Sequence, residues 1–74
     1  MITIYSREHC TYCDKAKALL EMKEIEYNEL KLGVDVTADQ LKQLVPGAKS
    51  VPQILNDNVL IGGFSDLLAY LDNQ

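Results

Sequence analysis

The sequence contains two cysteines, and they stand only three positions apart, as Cys10 and Cys13 in the segment Cys-Thr-Tyr-Cys. A disulfide between them closes a very short loop and ties no distant parts of the chain together, so it cannot staple a fold. A structural zinc site normally needs four Cys or His ligands, and the chain adds only His9. The pair is therefore interpreted as a redox dithiol. A zinc site and two inert buried thiols stay open as alternatives.

The composition predicts one small globular domain over residues 1–74. Hydrophobic residues make up 47% of the chain and charged residues 24%, the balance of an ordinary folded protein. No run approaches the roughly 18 apolar residues that a membrane span requires, and no leader pattern is found. The net charge of −4, with lysines spread singly, argues against nucleic acid as a ligand. We expect a cytoplasmic monomer that contacts neither membranes nor nucleic acid.

Apolar periodicity predicts seven elements in the order strand, helix, strand, helix, strand, strand, helix. A helix from Thr11 to about Lys23 is built from strong helix formers without Gly or Pro. Strands are predicted at residues 2–5, 25–30, 53–55 and 59–61. Alternating strands and helices imply a parallel pair, and the closing hairpin adds antiparallel strands. The expected fold class is α/β, with a four-stranded mixed sheet and three helices on its two faces.

The two later helices carry start signals. Thr37 and Gln40 have the spacing of a capping box, which predicts a short helix ending near Val45, with Leu41, Leu44 and Val45 on its apolar side. Ser65 is the predicted N-cap of the last helix.

The dithiol lies where the first strand leads into the first helix. Free amides and the positive end of the helix dipole favour a thiolate there, and Arg7 adds a cation. We expect Cys10 to be the exposed nucleophile, held by the Cys13 amide, and Cys13 to be the more buried resolving thiol. Arg7 is a candidate donor to a ligand carboxylate, whereas His9 is interpreted as a bystander.

Two further segments are suited to ligand contact. A proline entering a strand, as in Val51-Pro52, removes one donor of the sheet ladder and fits a position beside a ligand. The Gly62-Gly63 pair before the last helix lets the backbone approach a ligand closely and offers amides to an anion.

With these pieces in place, nearly the whole chain resembles a glutaredoxin. Four segments carry the similarity, in the order in which the family has them. They are the strand and cysteine motif at 4–13, the helix at 16–20, Ser-Val-Pro-Gln-Ile at 50–54, and Ile-Gly-Gly-Phe-Ser-Asp at 61–66. The lack of Trp and of Gly-Pro between the cysteines separates the chain from thioredoxin proper, whose active site reads Trp-Cys-Gly-Pro-Cys.

The resemblance implies a thioredoxin fold and an enzyme that uses glutathione to reduce protein disulfides and glutathione mixed disulfides. Ribonucleotide reductase is a common partner in that family. The implied catalytic residues are Cys10 and Cys13. The implied glutathione contacts begin with Arg7, which would bind the glycine carboxylate, and with Tyr12 beside the site. Val51 would bind the tripeptide through its backbone, and its bond to Pro52 would be cis. The γ-glutamyl end would be surrounded by Gly63, Phe64, Ser65 and Asp66. Lys49 and Gln40 are weaker candidates.

One departure from the family is Thr11, where the motif usually has Pro. Thr11 keeps a backbone donor and a hydroxyl, so we expect it to be able to cap the helix. Some glutaredoxins that lack this proline hold a [2Fe-2S] cluster between two subunits, through their first cysteines and two glutathiones. A dimeric cluster carrier is therefore the alternative function, and a non-catalytic adaptor of the same fold is another.

Overall fold

The computed structural model describes residues 1–73 and contains four strands and three helices in the expected order. The elements are β1 (Ile2–Ser6), α1 (Thr11–Met22), β2 (Tyr27–Lys31), α2 (Ala38–Leu44), β3 (Gln53–Asn56), β4 (Val59–Gly62) and α3 (Phe64–Asp72). The sheet order is β2-β1-β3-β4. β1 and β2 run parallel, whereas β3 is antiparallel to both β1 and β4. The mixed four-stranded sheet predicted from the sequence is confirmed.

The second strand begins two residues later than predicted, at Tyr27 instead of Ile25. The reason is the end of α1, where Glu24 has a positive φ of 57° and the Ile25 amide donates to the Leu20 carbonyl at 2.9 Å. This turn uses the Ile25 amide to close the helix, so the strand starts only after it.

Capping chemistry fixes the start of both later helices, and one of the two predictions was wrong. Thr37 and Gln40 form the predicted capping box, with bonds of 3.1 and 2.8 Å. The N-cap of α3 is Gly63, however, and Ser65 lies inside the helix. The Asp66 carboxylate accepts from the Gly63 amide at 3.0 Å, so the side chain at the third helical position reaches back to the N-cap residue.

The core lies on both faces of the sheet. One cluster packs α1 and α3 against the strands through fully or almost fully buried side chains: Ile2, Ile4, Ala16, Leu20, Ile54 and Leu67. The second lies under α2 and contains Tyr5, Leu41, Val45 and Leu55. Leu44, predicted to face inward, is 57% exposed. The two layers hold the C-terminal end of β1 and the start of α1 in fixed positions, which places the cysteines. No helix within residues 1–73 is long and apolar enough to cross a membrane.

Candidate functional site around Cys10

The cysteine pair lies at the turn from β1 into α1. His9 adopts a positive φ of 56°, and the chain then enters the helix with Cys10 as its N-cap. The Cys13 amide donates to the Cys10 sulfur at 3.2 Å, as predicted. Thr11 was expected to be able to cap this helix, but it occupies the first helical position, because the Cys10 sulfur already accepts the bond that a capping side chain would take.

The two sulfurs are joined as a disulfide, with the Cα atoms 5.2 Å apart. Cys13 is 0% exposed and Cys10 7%. The prediction that Cys13 is the more buried of the two is confirmed. Cys10 was expected to be exposed, and in this closed state it is buried instead, since its sulfur lies 3.9 Å from the Val51 carbonyl oxygen. The small remaining exposure of the pair belongs to the Cys10 residue.

The second segment of the site is Val51-Pro52, whose peptide bond is cis, as the resemblance implied. Pro52 is buried and Val51 is partly exposed beside Cys10. Gly63 lies next to this segment, because a Cβ built on it would stand 3.7 Å from the Pro52 carbonyl oxygen. The loop before β3 and the start of α3 therefore meet beside the cysteines.

An aromatic pair lies across the same region. The rings of Tyr12 in α1 and Phe64 in α3 have centroids 6.0 Å apart, and the Lys15 ammonium lies 5.2 Å from the centre of the Tyr12 ring. Tyr12 is 58% exposed, so its ring offers an open apolar surface near the disulfide. Such a surface suits contact with a bound peptide.

The turn into α3 depends on Gly62. Its φ is +128°, and a Cβ there would collide with the Asp66 side chain. Glycine thus lets the Asp66 carboxylate fold back over the backbone and reach the Gly63 amide. Ser65 is exposed in the first turn of the helix. The candidates at 63–66 consequently lie together at the start of α3, with Gly63 beside Pro52.

Arg7 lines a pocket of about 400 Å³. The pocket is lined by Arg7, Leu32, Ala38, Leu41, Lys42, Ala48, Lys49, Ser50 and Val51. Three of these side chains are cationic and none is acidic. Val51 connects the pocket to the Cys10 sulfur. Gln40, a weaker candidate in the sequence, is not among the lining residues, because its side chain is used in the capping box.

Sequence reasoning missed two features. Lys42 was read only as a dispersed surface charge, and its place in the pocket depends on how α2 packs across the sheet. The second feature is a polar cluster: fully buried Ser6 donates to Glu29 at 2.6 Å, and the Lys17 ammonium pairs with the same carboxylate oxygen at 2.9 Å. A polar residue ending an apolar strand, as Ser6 does, is the one signal that could have indicated it.

This cluster ties together the three elements that frame the dithiol. The hydrogen bonds from Ser6 and then from Lys17 lower the pKa of Glu29, despite its partial burial. The bond to Glu29 raises the pKa of Lys17 in turn. Both groups are therefore charged at neutral pH, and the ion pair links α1 to β2 directly behind the cysteine turn.

Comparison with known proteins places this geometry in a family. The family model named Glutaredoxin matches residues 2–61. Glutaredoxin 3 of Escherichia coli K12 is 40% identical over 70 residues, which cover 92% of this chain and 82% of that protein. Across such relatives the chain spans between 63% and 82% of their length.

Solved structures show the same fold. Reduced Escherichia coli glutaredoxin superposes with a TM-score of 0.83 and 29% identity, covering 99% of this chain and 94% of that one. The buckwheat glutaredoxin–glutathione complex superposes with a TM-score of 0.78 and 22% identity, covering 97% of this chain and 68% of the other.

Proposed function

Because the chain belongs to the glutaredoxin family, whose members are thiol-disulfide oxidoreductases, we propose that it uses glutathione to reduce protein disulfides and glutathione mixed disulfides. The observation that carries the proposal is the Cys10 sulfur, which caps α1, accepts from the Cys13 amide and lies beside the Val51 backbone. A buckwheat relative of the same fold has been solved as a complex with glutathione. Reducible partner proteins, with ribonucleotide reductase as a candidate, belong to the same proposal, as do a monomeric state and a cytoplasmic location.

The arrangement around Cys10 suits an extended tripeptide with charged ends. Arg7 is available for the glycine carboxylate, and Val51 offers backbone groups for the middle of the peptide. At the other end, Gly63, Phe64, Ser65 and Asp66 surround the place of the γ-glutamyl group, with the Asp66 carboxylate facing its ammonium. Tyr12 packs alongside.

The monothiol route needs only Cys10. Its thiolate attacks the glutathione sulfur of a mixed disulfide, forming a Cys10–glutathione bond while the target sulfur leaves as a thiolate and takes a proton from water. A second glutathione thiolate then attacks that glutathione sulfur. This step releases oxidised glutathione and returns the Cys10 thiolate, which the Cys13 amide and the helix start stabilise.

The dithiol route passes through the state seen in the structure. Cys10 first forms a mixed disulfide with a target protein, and the other target sulfur leaves as a thiolate. The Cys13 thiolate then attacks Cys10, forming the Cys10–Cys13 bond and releasing the reduced target. Two glutathiones afterwards reduce the closed disulfide, giving oxidised glutathione and both thiols.

The test is a coupled assay in which glutathione reductase and NADPH recycle glutathione during reduction of a glutathionylated peptide. We expect NADPH consumption that depends on both the protein and glutathione. A protein that reduces the peptide with dithiothreitol but not with glutathione would contradict the proposal while leaving the oxidoreductase class intact. A protein that is inactive with both reductants would instead favour the non-catalytic adaptor.

The alternative function, a cluster carrier, requires a different chemical state of Cys10. A [2Fe-2S] cluster needs the Cys10 sulfur as a free thiolate, and here that sulfur is bonded to Cys13 and largely buried. This closed state does not fit a cluster. A brown, dimeric protein after anaerobic purification would favour the carrier over the oxidoreductase.

A further inference from the structure

The pocket beside Val51 concentrates positive charge in an acidic protein. The chain carries 7 basic and 11 acidic residues, yet three of the basic ones, Arg7, Lys42 and Lys49, line this one pocket with no carboxylate among its lining residues. Within residues 1–73 none of the three takes part in an ion pair, whereas Lys17 and Lys31 both do. The pocket is therefore built to receive negative charge from outside the chain.

Glutathione does not account for all of this charge. In the proposed binding mode its glycine carboxylate brings one negative charge to Arg7, and its γ-glutamyl end lies on the far side of Cys10, near Asp66. Lys49 directly precedes Ser50 and Val51, and in this binding mode it is assigned to the same glutathione carboxylate as Arg7. Lys42 comes from a different element, the last turn of α2, and is left with no charge to neutralise.

We propose that Lys42 is a specificity-determining residue that binds an acidic side chain of the target protein, next to the glutathionylated or disulfide-bonded cysteine. The inference rests on the proposed function, since it concerns the target held at the same sulfur. The target chain must pass close to Cys10, and Val51 joins that sulfur to the pocket. Leu41 and Ala48, beside Lys42, offer an apolar floor for the methylene groups of the acidic residue.

The experiment compares two glutathionylated peptides that differ only in the residues flanking cysteine, two Asp in one and two Asn in the other. With wild-type protein we expect a higher kcat/KM for the Asp peptide. Lys42→Gln should lower kcat/KM for the Asp peptide by about threefold to tenfold, the effect of losing one partly solvated charge contact. It should leave the Asn peptide within about twofold. Lys42→Glu should reverse the preference.

The matched control is Lys23→Gln, which changes the net charge equally at an exposed position on the end of α1. It should leave the preference intact, and about 0.5 M salt should remove the preference of the wild type, because exposed charge contacts are screened. Equal losses on both peptides in Lys42→Gln would overturn the inference and assign Lys42 to glutathione binding or folding. No loss on either peptide would also overturn it, because Lys42 would then have no part in binding either substrate. Wild-type protein with no preference would overturn this inference alone, whereas no glutathione-dependent turnover of either peptide would overturn the proposed function as well.

Discussion

At the scale of single residues, the two cysteines differ in environment although only two residues separate them. Cys10 accepts a backbone hydrogen bond and retains some exposure, whereas Cys13 is completely enclosed. This asymmetry supports the proposal that Cys10 is the nucleophile, since a thiolate attacks only what it can reach.

The cysteine roles can be separated by substitution. Cys10→Ser should abolish all turnover, because a serine hydroxyl does not replace a thiolate at neutral pH. Cys13→Ser should keep deglutathionylation and lose most direct reduction of protein disulfides, because a second glutathione can replace the resolving thiol only in the monothiol route. Alkylating the reduced protein at about pH 6 with limiting iodoacetamide, followed by mass spectrometry, should label Cys10 first. Preferential labelling of Cys13 would reverse the assignment.

Asp66 accepts a hydrogen bond at the start of α3 and is proposed to bind glutathione, and its substitutions separate these two roles. Asp66→Ala removes both the helix-capping acceptor and the charge, so it should cost about 1 kcal/mol of stability and about 1 to 2 kcal/mol of transition-state stabilisation with glutathione. Asp66→Asn keeps an oxygen that can accept from the Gly63 amide. It should therefore keep most of the stability and lose mainly the transition-state stabilisation with glutathione. Thermal unfolding and the KM for glutathione, measured on both variants, provide the check. Normal glutathione kinetics in Asp66→Asn would remove this carboxylate from the binding site.

At the scale of elements, local chemistry explains what the sequence predicts well and what it does not. The capping box of α2 is predictable because both of its hydrogen bonds join Thr37 and Gln40, which lie three positions apart in the sequence. The start of β2 is not, because it depends on how the Ile25 amide closes the preceding helix. Lys42 could not be assigned to the pocket because its place depends on the packing of α2 against the sheet, which no local pattern encodes.

The link between α1 and β2 predicts a pH-dependent stability. The pKa of Glu29 is lowered in the folded state from its ordinary 4.5. The ionised carboxylate therefore contributes its full stabilisation of the fold above pH 4.5. This stabilisation is lost as the pH falls through the lower pKa of the folded state. Glu29→Gln should therefore destabilise the protein by about 1 to 2 kcal/mol near pH 7. Urea unfolding at decreasing pH should show this difference shrink in acid. Glu26→Gln, an exposed neighbour, serves as control, and a difference independent of pH would rule out the ionic contribution.

At the scale of the whole molecule, the fold is small, and two hydrophobic clusters, one on each face of the sheet, stabilise it. Arg7 and Cys10 lie in the loop between β1 and α1, Val51 precedes β3 and Gly63 precedes α3. Only the packing of helices on both sheet faces brings these three segments together. The sequence predicts this architecture because its strand and helix patterns are regular, and the resemblance located the cysteine, Val-Pro and Gly-Gly segments in advance. The closeness of these segments, and the charge of the pocket between them, are properties of the assembled molecule.

The dependence of the site on the core predicts a strong contrast between two leucines in helices. Leu20 on the buried side of α1 is 0% exposed, whereas Leu44 on α2 is 57% exposed. Leu20→Ala should cost about 2 to 5 kcal/mol through lost burial and the cavity left behind, which is a large part of the roughly 5 kcal/mol available to a domain of this size. Leu44→Ala should change stability by less than about 0.5 kcal/mol. Urea unfolding gives both values, and the glutathione-coupled rate of Leu20→Ala should fall with its folded fraction as temperature rises. Equal losses in the two variants would mean that α2 is covered by a partner surface in solution, because only burial makes the removal of a leucine side chain costly.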